Sequence, residues 1–296
     1  MKRAYVEIQT DRIRPFQVDR ELQTGRFPFQ MHYRHAGDSG KKLLLLHMSG
    51  SSSDEFERAG DLLAERGFHV YAPDLPGFGM SDPPPCTPPS YLTMEEHAGM
   101  IAAFMDAVGI PAAYVYGNMA TANLAVHLAV DFPKQVRGLM LAHPLYTHDA
   151  EQYARKRKLP EYSIVHPKND GSHLITLWER SAKYGASADT ADGRCLALHL
   201  AGIYGETLHW ALFEDRGFSD CLEQITVPTI VVRYGGLGVL GLQREAAQKI
   251  KGSILDCYEE GTPYISREDP MAVVEMIGNY FGKDLPETEN FIRNGT

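Results

Sequence analysis

The chain has 296 residues, of which 44% are hydrophobic and 23% are charged, a composition typical of a globular protein with a full core. Its formal net charge of -9 argues against nucleic acid or an anionic membrane as the main partner, because both are bound through basic surfaces. The four cysteines are far apart, with no CxxC pair and no histidine at metal-ligand spacing, which favours free thiols in a cytoplasmic protein.

The first half of the chain alternates apolar strand-like segments with helical patterns. Strands are predicted at 29–34, 43–46, 68–72, 113–116 and 136–141. Helices are predicted at 56–66, from the capping residue Thr93 up to Gly109, and at 122–130. The charged N-terminal residues have no apolar segment behind them, so we expect neither a signal peptide nor a membrane span.

The alternation stops over residues 146–219, which are aromatic-rich and helical in pattern, and resumes with strands at 229–232 and 254–258. Helices are predicted near 241–250 and from Pro270, which follows an acidic capping residue. This order predicts an α/β core made of residues 1–145 and 220–296, with a mostly parallel twisted sheet and helices on both faces. Residues 146–219 would form an inserted helical cap, and a ligand would bind beneath it at the carboxyl ends of the strands.

Four short segments carry a family resemblance. Residues 74–81 read D-L-P-G-F-G-M-S and match the loop D-x-P-G-x-G-x-S, while His47 ends the strand predicted at 43–46. Residues 115–118 lead into a strand-to-helix turn, and residues 268–270 precede the last helix. With these segments the chain resembles the cap-bearing branch of the α/β-hydrolase superfamily, over nearly everything outside the cap.

The resemblance implies a catalytic serine, acid and histidine in three loops, but the corresponding positions hold Met119, Gly238 and Pro263. A thioether has no proton to lose, glycine has no carboxylate, and proline cannot serve as a base. His209 is the last histidine of the chain, so no imidazole follows in the final strand–helix segment. We therefore predict that the ordinary triad has been lost.

Other groups of the pocket remain. By the resemblance, the backbone N–H groups of Ser49 and Ala120 form an oxyanion hole, which could stabilise a developing negative charge. His143, at the end of the strand predicted at 136–141, is a candidate general base or acid. The alternative is a histidine satisfied by the backbone at a strand end. The candidate substrate-binding residues are Met48, Asn118, Met119, Tyr146, Trp178 and Trp210.

These features predict a non-hydrolytic enzyme of isomerase, cyclase or lyase type, acting on an apolar or aromatic small molecule in secondary metabolism. Two alternatives are a small-molecule binding protein without turnover and a hydrolase with a non-standard constellation, for instance water activated by His143. We expect no cofactor, no metal, and neither nucleic acid nor membrane as a partner. The oligomeric state is left open.

Overall fold

Eight strands form a single sheet in the computed structural model, which describes residues 1–9, 29–84, 86–235 and 242–282. The strand order is β1-β2-β4-β3-β5-β6-β7-β8, with β2 antiparallel to both β1 and β4 and all other pairs parallel. The strands are β1 (Lys2–Ile8), β2 (Phe29–Ala36), β3 (Lys41–Leu46), β4 (Phe68–Pro73), β5 (Ala113–Asn118), β6 (Val136–Ala142), β7 (Thr229–Tyr234) and β8 (Ile254–Tyr258).

Helices cover both faces of this sheet. The helices of the core are α1 (Glu57–Glu65), α2 (Met94–Ala107) and α3 (Ala120–Asp131), and those between β6 and β7 are α4 (Ala150–Arg155), α5 (Ser172–Ala182), α6 (Ala188–Ala201), α7 (Thr207–Glu214) and α8 (Phe218–Gln224). The chain continues with α9 (Leu242–Lys249), α10 (Ile265–Glu268) and α11 (Pro270–Phe281). One hydrophobic cluster joins the sheet to α2 and α3, and a second joins it to α1 and α11. The predicted mostly parallel sheet with helices on both faces is confirmed.

Local chemistry explains where two of the helices begin. Thr93 and Glu96 form a reciprocal capping box at the start of α2. Asp269 accepts a hydrogen bond from the Ala272 N–H at 3.0 Å, and Pro270 fills the first position of α11, where a missing N–H costs nothing. The last four residues of β3 are all buried because the strand is covered on both faces.

The strand register brings the functional loops together. Leu46 of β3 lies opposite Gly117 of β5, and Asn118 lies opposite Ala142 of β6. The loops that follow these three strands therefore leave the sheet side by side at one edge. This is the edge at which parallel sheets bind their ligands.

All regular elements described between β6 and β7 are helical, and α8 crosses the predicted boundary at residue 219 because Phe218 and Leu222 pack into the core cluster around α3. The division into core and cap stays a prediction. None of the helices in the described ranges combines the length and the apolarity that crossing a bilayer requires.

Candidate functional site

The strand-to-helix turn between β5 and α3 has a strained backbone. Met119 stands at its tip with φ 56° and ψ -117°, a region that side-chain-bearing residues rarely adopt. Its N–H donates to the carbonyl of Ala142 at 2.9 Å. A Cβ on Gly117 would lie 2.2 Å from the carbonyl oxygen of Thr121, so only glycine allows the helix to return so close to the strand. The turn has the backbone geometry of a nucleophile elbow with Met119 at its tip, and the loss of the triad stays a prediction.

Asn118 connects the loops that meet at this turn. Its Nδ2 donates to the carbonyl of Pro263 at 2.9 Å, and its Oδ1 accepts from the Tyr234 hydroxyl at 3.3 Å. Two of the three predicted triad positions, Met119 and Pro263, therefore lie in adjoining loops. Gly238 lies outside the described residues. Asn118 is fully buried and its amide is engaged by protein, and its substrate contact stays a prediction.

The loop after β3 supplies the other half of the predicted oxyanion hole. Ser49 is buried, and its carbonyl accepts a hydrogen bond from Arg194 of α6 at 3.1 Å. Ala120 is the first residue of α3, so its N–H belongs to the first-turn amides that have no partner within the helix. Both amides stand at the same edge of the sheet, and their oxyanion role stays a prediction.

Two polar groups in the segments that carry the resemblance hold these loops in place. His47 accepts from the Leu75 N–H at 2.9 Å, and Asp74 accepts from the N–H groups of Ser53 at 2.6 Å and Met80 at 2.9 Å. Burial alone would raise the pKa of Asp74, but its hydrogen bond with His32, the charge of His47 and the amide bonds hold that pKa below its ordinary value. The carboxylate thus stays ionised and pins the loops after β3 and β4 together.

His143 is fully buried at the end of β6 in a backbone conformation with φ 49°. Its Nδ1 accepts from the Tyr234 N–H at 3.1 Å, and its ring stacks on that of Tyr234 with centroids 5.4 Å apart. Burial, followed by the charge of Arg233, lowers the pKa of His143 to about 4, so the ring is neutral and weakly basic at neutral pH. The backbone satisfies Nδ1, as in the alternative prediction, but Nε2 is buried without a hydrogen-bond partner among the described residues, and the role of His143 as a base stays a prediction.

A buried glutamate lies behind the β3 loop. Glu55 accepts from the Met48 N–H at 3.3 Å and borders a cavity of about 10 Å³, room for one water, that Met48 and Pro263 also line. Burial raises the pKa of Glu55 to about 7, against the smaller opposing effects of Ser51 and Arg267. A titratable group that the sequence did not single out therefore adjoins the predicted site.

A histidine–carboxylate pair of the cap faces the same loop. His209 Nδ1 lies 2.8 Å from Glu206 Oε2 and 3.3 Å from the Ser49 hydroxyl oxygen. The second oxygen of Glu206 accepts from Arg180 at 3.2 Å. The ring of His209 contacts Tyr162 edge-on, with centroids 5.2 Å apart, and the His209 side chain is 22% exposed. A carboxylate on Nδ1 selects the tautomer with a proton there, which leaves a lone pair on Nε2 for accepting a proton.

Sequence reasoning did not identify this pair. Its only sequence signal is the spacing of three residues at the start of α7, which places Glu206 and His209 on one face of the helix. Nothing in the sequence indicates that this face contacts Ser49, which is 160 residues away along the chain.

An apolar cavity of about 140 Å³ opens within the cap next to Glu206. Its apolar walls come from Ile164, Val165, Leu177, Leu198 and Ile203. The cap therefore places a carboxylate of the His209 pair at the border of a space suited to an apolar group.

The predicted aromatic ligand contacts have mainly packing partners. Tyr146 packs near Phe218, and Trp210 donates its indole N–H to the carbonyl of Tyr162 at 2.8 Å. Met48 is buried beside the one-water cavity, and Trp178 is half-buried on α5. Substrate binding by these four residues stays a prediction.

Part of the chain is similar in sequence to known proteins. The family model described as "alpha/beta hydrolase fold" matches residues 41–163. An acetyltransferase component of the acetoin cleaving system of Cupriavidus necator is 35% identical over 41% of this chain and 31% of its own length. A 2-hydroxy-6-oxononadienedioate/2-hydroxy-6-oxononatrienedioate hydrolase of Burkholderia vietnamiensis is 33% identical over 38% of this chain and 39% of its own length. The chain thus spans well under half the length of these relatives.

The named hydrolase relative corrects one expectation from the sequence. The prediction of a non-hydrolytic isomerase, cyclase or lyase is wrong, because this relative and further matching proteins are named as hydrolases of 2-hydroxy-6-oxo compounds. The triad positions hold no nucleophile, acid or base, which favours a non-hydrolytic enzyme, but groups elsewhere in a site can activate water, as in the hydrolase alternative.

The fold extends over the whole described chain. An esterase from Thermogutta terrifontis superposes with a TM-score of 0.72 over 94% of this chain and 97% of that one, at 17% sequence identity. At such low identity the likeness concerns the fold. The chain therefore has the α/β-hydrolase fold, and residues 41–163 match the family model of that description.

Proposed function

We propose that this protein is a hydrolase of small carbonyl compounds in which His209, oriented by Glu206, activates water at the junction of cap and core. The observation that carries the proposal is the short contact of Glu206 with His209 Nδ1, made directly beside Ser49 of the β3 loop. An oriented imidazole next to backbone donors is the arrangement that hydrolysis of a carbonyl compound needs.

We further propose that the three ordinary triad positions take no part in proton transfer. Met119 holds the elbow conformation but has no ionisable proton, and Pro263 offers only a carbonyl, which already accepts from Asn118. The third position, Gly238, lies outside the described residues and has no carboxylate in any conformation. Water, instead of a side chain, would then be the nucleophile.

The chemistry can be written with the groups present. His209 Nε2 removes a proton from water while the resulting hydroxide attacks the carbonyl carbon of the substrate. The N–H groups of Ser49 and Ala120 donate hydrogen bonds to the carbonyl oxygen and stabilise the negative charge that forms on it. As this intermediate collapses, the imidazolium returns its proton to the leaving group, so the base ends as it began.

The substrate class follows from the cap and from the relatives. The apolar walls of the 140 Å³ cavity beside Glu206 favour an ester or activated ketone with a small apolar group. The names of the hydrolase relatives point to 2-hydroxy-6-oxo compounds, which we propose as the first substrates to test. A cytoplasmic location and the absence of nucleic-acid and membrane partners stay predictions.

The test measures hydrolysis directly. The purified chain is incubated with a 2-hydroxy-6-oxodienoate, an enol lactone and short-chain aryl esters in oxygen-18 water, and the products are analysed by mass spectrometry. We expect one labelled oxygen in the acid product, and a loss of about 10²–10⁴-fold in turnover for His209→Gln because the general base is removed.

His148→Gln is the matched control, since His148 is a cap histidine with a 64% exposed side chain and should retain full turnover. Equal turnover in wild type and His209→Gln would exclude His209 as the base. Stoichiometric retention of a compound with no added water would overturn the hydrolase proposal and favour the binding-protein alternative.

A further inference from the structure

Four side chains of types that commonly bind metals lie close together, three on different helices and one just after the end of a fourth helix. Glu95 belongs to α2, His127 to α3 and Cys221 to α8, while Asp215 directly follows α7. Ligand atoms of Glu95, His127 and Asp215 lie within 4.8 Å of one another. The residues are separated by up to 126 positions in sequence, the difference between 95 and 221, so no spacing rule could predict the cluster.

The imidazole of His127 is held with its two nitrogens facing different groups. Nε2 lies 2.7 Å from Asp215 Oδ2, and both side chains are almost completely buried. Nδ1 faces Cys221 Sγ at 3.9 Å and Glu95 Oε1 at 4.0 Å. A histidine that binds a metal through one nitrogen commonly donates the other N–H to a carboxylate, which fixes the ring.

Two of the distances approach those between ligands of a small cation, whereas Cys221 Sγ lies outside the set of ligand atoms that are within 4.8 Å of one another. Tetrahedral zinc bound to nitrogen at about 2.0–2.1 Å and to sulfur at about 2.3 Å separates those two ligands by about 3.5 Å. The observed separations around Nδ1 are longer than this by about half an ångström. The Glu95 side chain is 54% exposed and can shorten its distance by a change of rotamer.

We propose that His127 Nδ1, Cys221 Sγ and Glu95 bind a divalent zinc-type cation, with Asp215 as the outer carboxylate that orients the ring. Thiolate, imidazole and carboxylate together are ligands typical of zinc. The bound cation would fasten α8 to α2 and α3, at the point where the cap rejoins the core. The site shares no residue with the Glu206–His209 pair, so it does not depend on the proposed hydrolase activity.

A plain ion pair is the competing explanation. Burial alone would lower the pKa of His127, but the hydrogen bonds with Asp215 and Cys221 and the charges of Asp215 and Glu95 raise it to about 10. Without metal the ring is then an imidazolium, and a cation at Nδ1 has to displace a proton. The ion pair accounts for the groups at Nδ1, because an imidazolium has an N–H there from which Glu95 and Cys221 can accept, but it leaves Asp215 Oδ1 buried without a partner among the described residues.

The test uses cobalt(II) and zinc(II) with the full chain. Cobalt bound to a thiolate gives a charge-transfer absorption in the near ultraviolet, so we expect one such site per chain, displaced by zinc. Cys221→Ser should abolish the absorption. Cys195→Ser should leave it unchanged, because the Cys195 thiol lies in the cap and donates a hydrogen bond to the Leu174 carbonyl. Zinc should also raise the unfolding temperature of wild type, because a ligand that binds only the folded state stabilises it.

Glu95→Gln keeps the proposal testable if Cys221→Ser folds poorly, because Glu95 is at the surface. We expect this variant to bind zinc about tenfold or more weakly. No cobalt absorption in wild type, an absorption that persists in Cys221→Ser, or unchanged zinc affinity in Glu95→Gln would each overturn the site in favour of the ion pair.

Discussion

In the proposed function, the elbow between β5 and α3 and the contact between α7 and the β3 loop divide the properties of an active site between them. The elbow has the backbone: Met119 takes the strained conformation, and Gly117 permits the close return of the helix. The α7 contact has the side-chain chemistry: His209 is oriented by Glu206 and lies beside Ser49. Neither region has both.

The difference shows what each kind of constraint preserves. The elbow conformation is set by backbone contacts, including the Met119 N–H to Ala142 carbonyl bond, and these do not depend on which side chain stands at the tip. A proton-transfer group depends wholly on side-chain identity, but it can be supplied by any element that packs nearby. A fold can therefore retain the shape of its site while the chemistry moves to another element.

Glu206→Gln makes the strongest test of where the chemistry lies. The amide keeps the size of the carboxylate and can still accept from His209, but it no longer stabilises the imidazolium that forms during proton transfer. We expect turnover in the oxygen-18 assay to fall by about 10²–10³-fold with a smaller change in KM.

Glu161→Gln is the matched control, because Glu161 is a cap glutamate paired with Lys183 at the surface. Its turnover should equal that of wild type. If Glu206→Gln keeps full activity while both variants remain folded, the Glu206–His209 pair does not supply the proton-transfer group.

Glu55→Gln tests the core side through the dependence of stability on pH. The folded state raises the pKa of the Glu55 carboxyl from 4.5 to about 7, so between these values folded protein binds more protons than unfolded protein. The stabilisation that protonated Glu55 provides is complete below pH 4.5 and is lost as the pH rises through about 7. Glutamine stays neutral throughout.

The measurement is urea unfolding of wild type and variant at about pH 5 and about pH 8. Between these two pH values, the free energy of unfolding of Glu55→Gln should rise relative to that of wild type by on the order of 2–3 kcal/mol. Glu57→Gln, which alters a half-exposed neighbour paired with Arg34, should show no such gain. If Glu55→Gln loses hydrolysis while His209→Gln stays active, the group that activates water lies in the core and not in the contact of α7 with the β3 loop.

Most of the architecture was predictable from local pattern. The strands and helices of the core alternate in sequence, and β3, β5 and β6 are continuous apolar segments because both of their faces are covered. The first strand, β1, was missed because it lies at the edge of the sheet and most of its residues are exposed or half-buried, which leaves little apolar pattern to detect.

The site was predictable only where residues follow one another along the chain. The loops holding Met119, Ser49 and His143 could be placed because each directly follows a strand of the parallel sheet. The contact of His209 with Ser49 depends on how a helical segment packs across the sheet edge, and single-sequence patterns carry no information on that packing. The same holds for His127 and Cys221, which come from helices distant in sequence.

Met119→Ser has the smallest expected effect and tests whether any base reaches the tip of the elbow. The serine hydroxyl would stand at the tip of an elbow with the correct backbone turn, since the conformation is held by Gly117 and by the Ala142 carbonyl. A serine is a weak nucleophile unless a base accepts its proton, and the adjoining loop offers Pro263, whose carbonyl already accepts from Asn118. We therefore expect no measurable gain in aryl-ester hydrolysis over wild type and no burst of acyl-enzyme. A burst in this variant would show that a base does reach the elbow, and the separation of shape from chemistry between the two regions would then be incorrect.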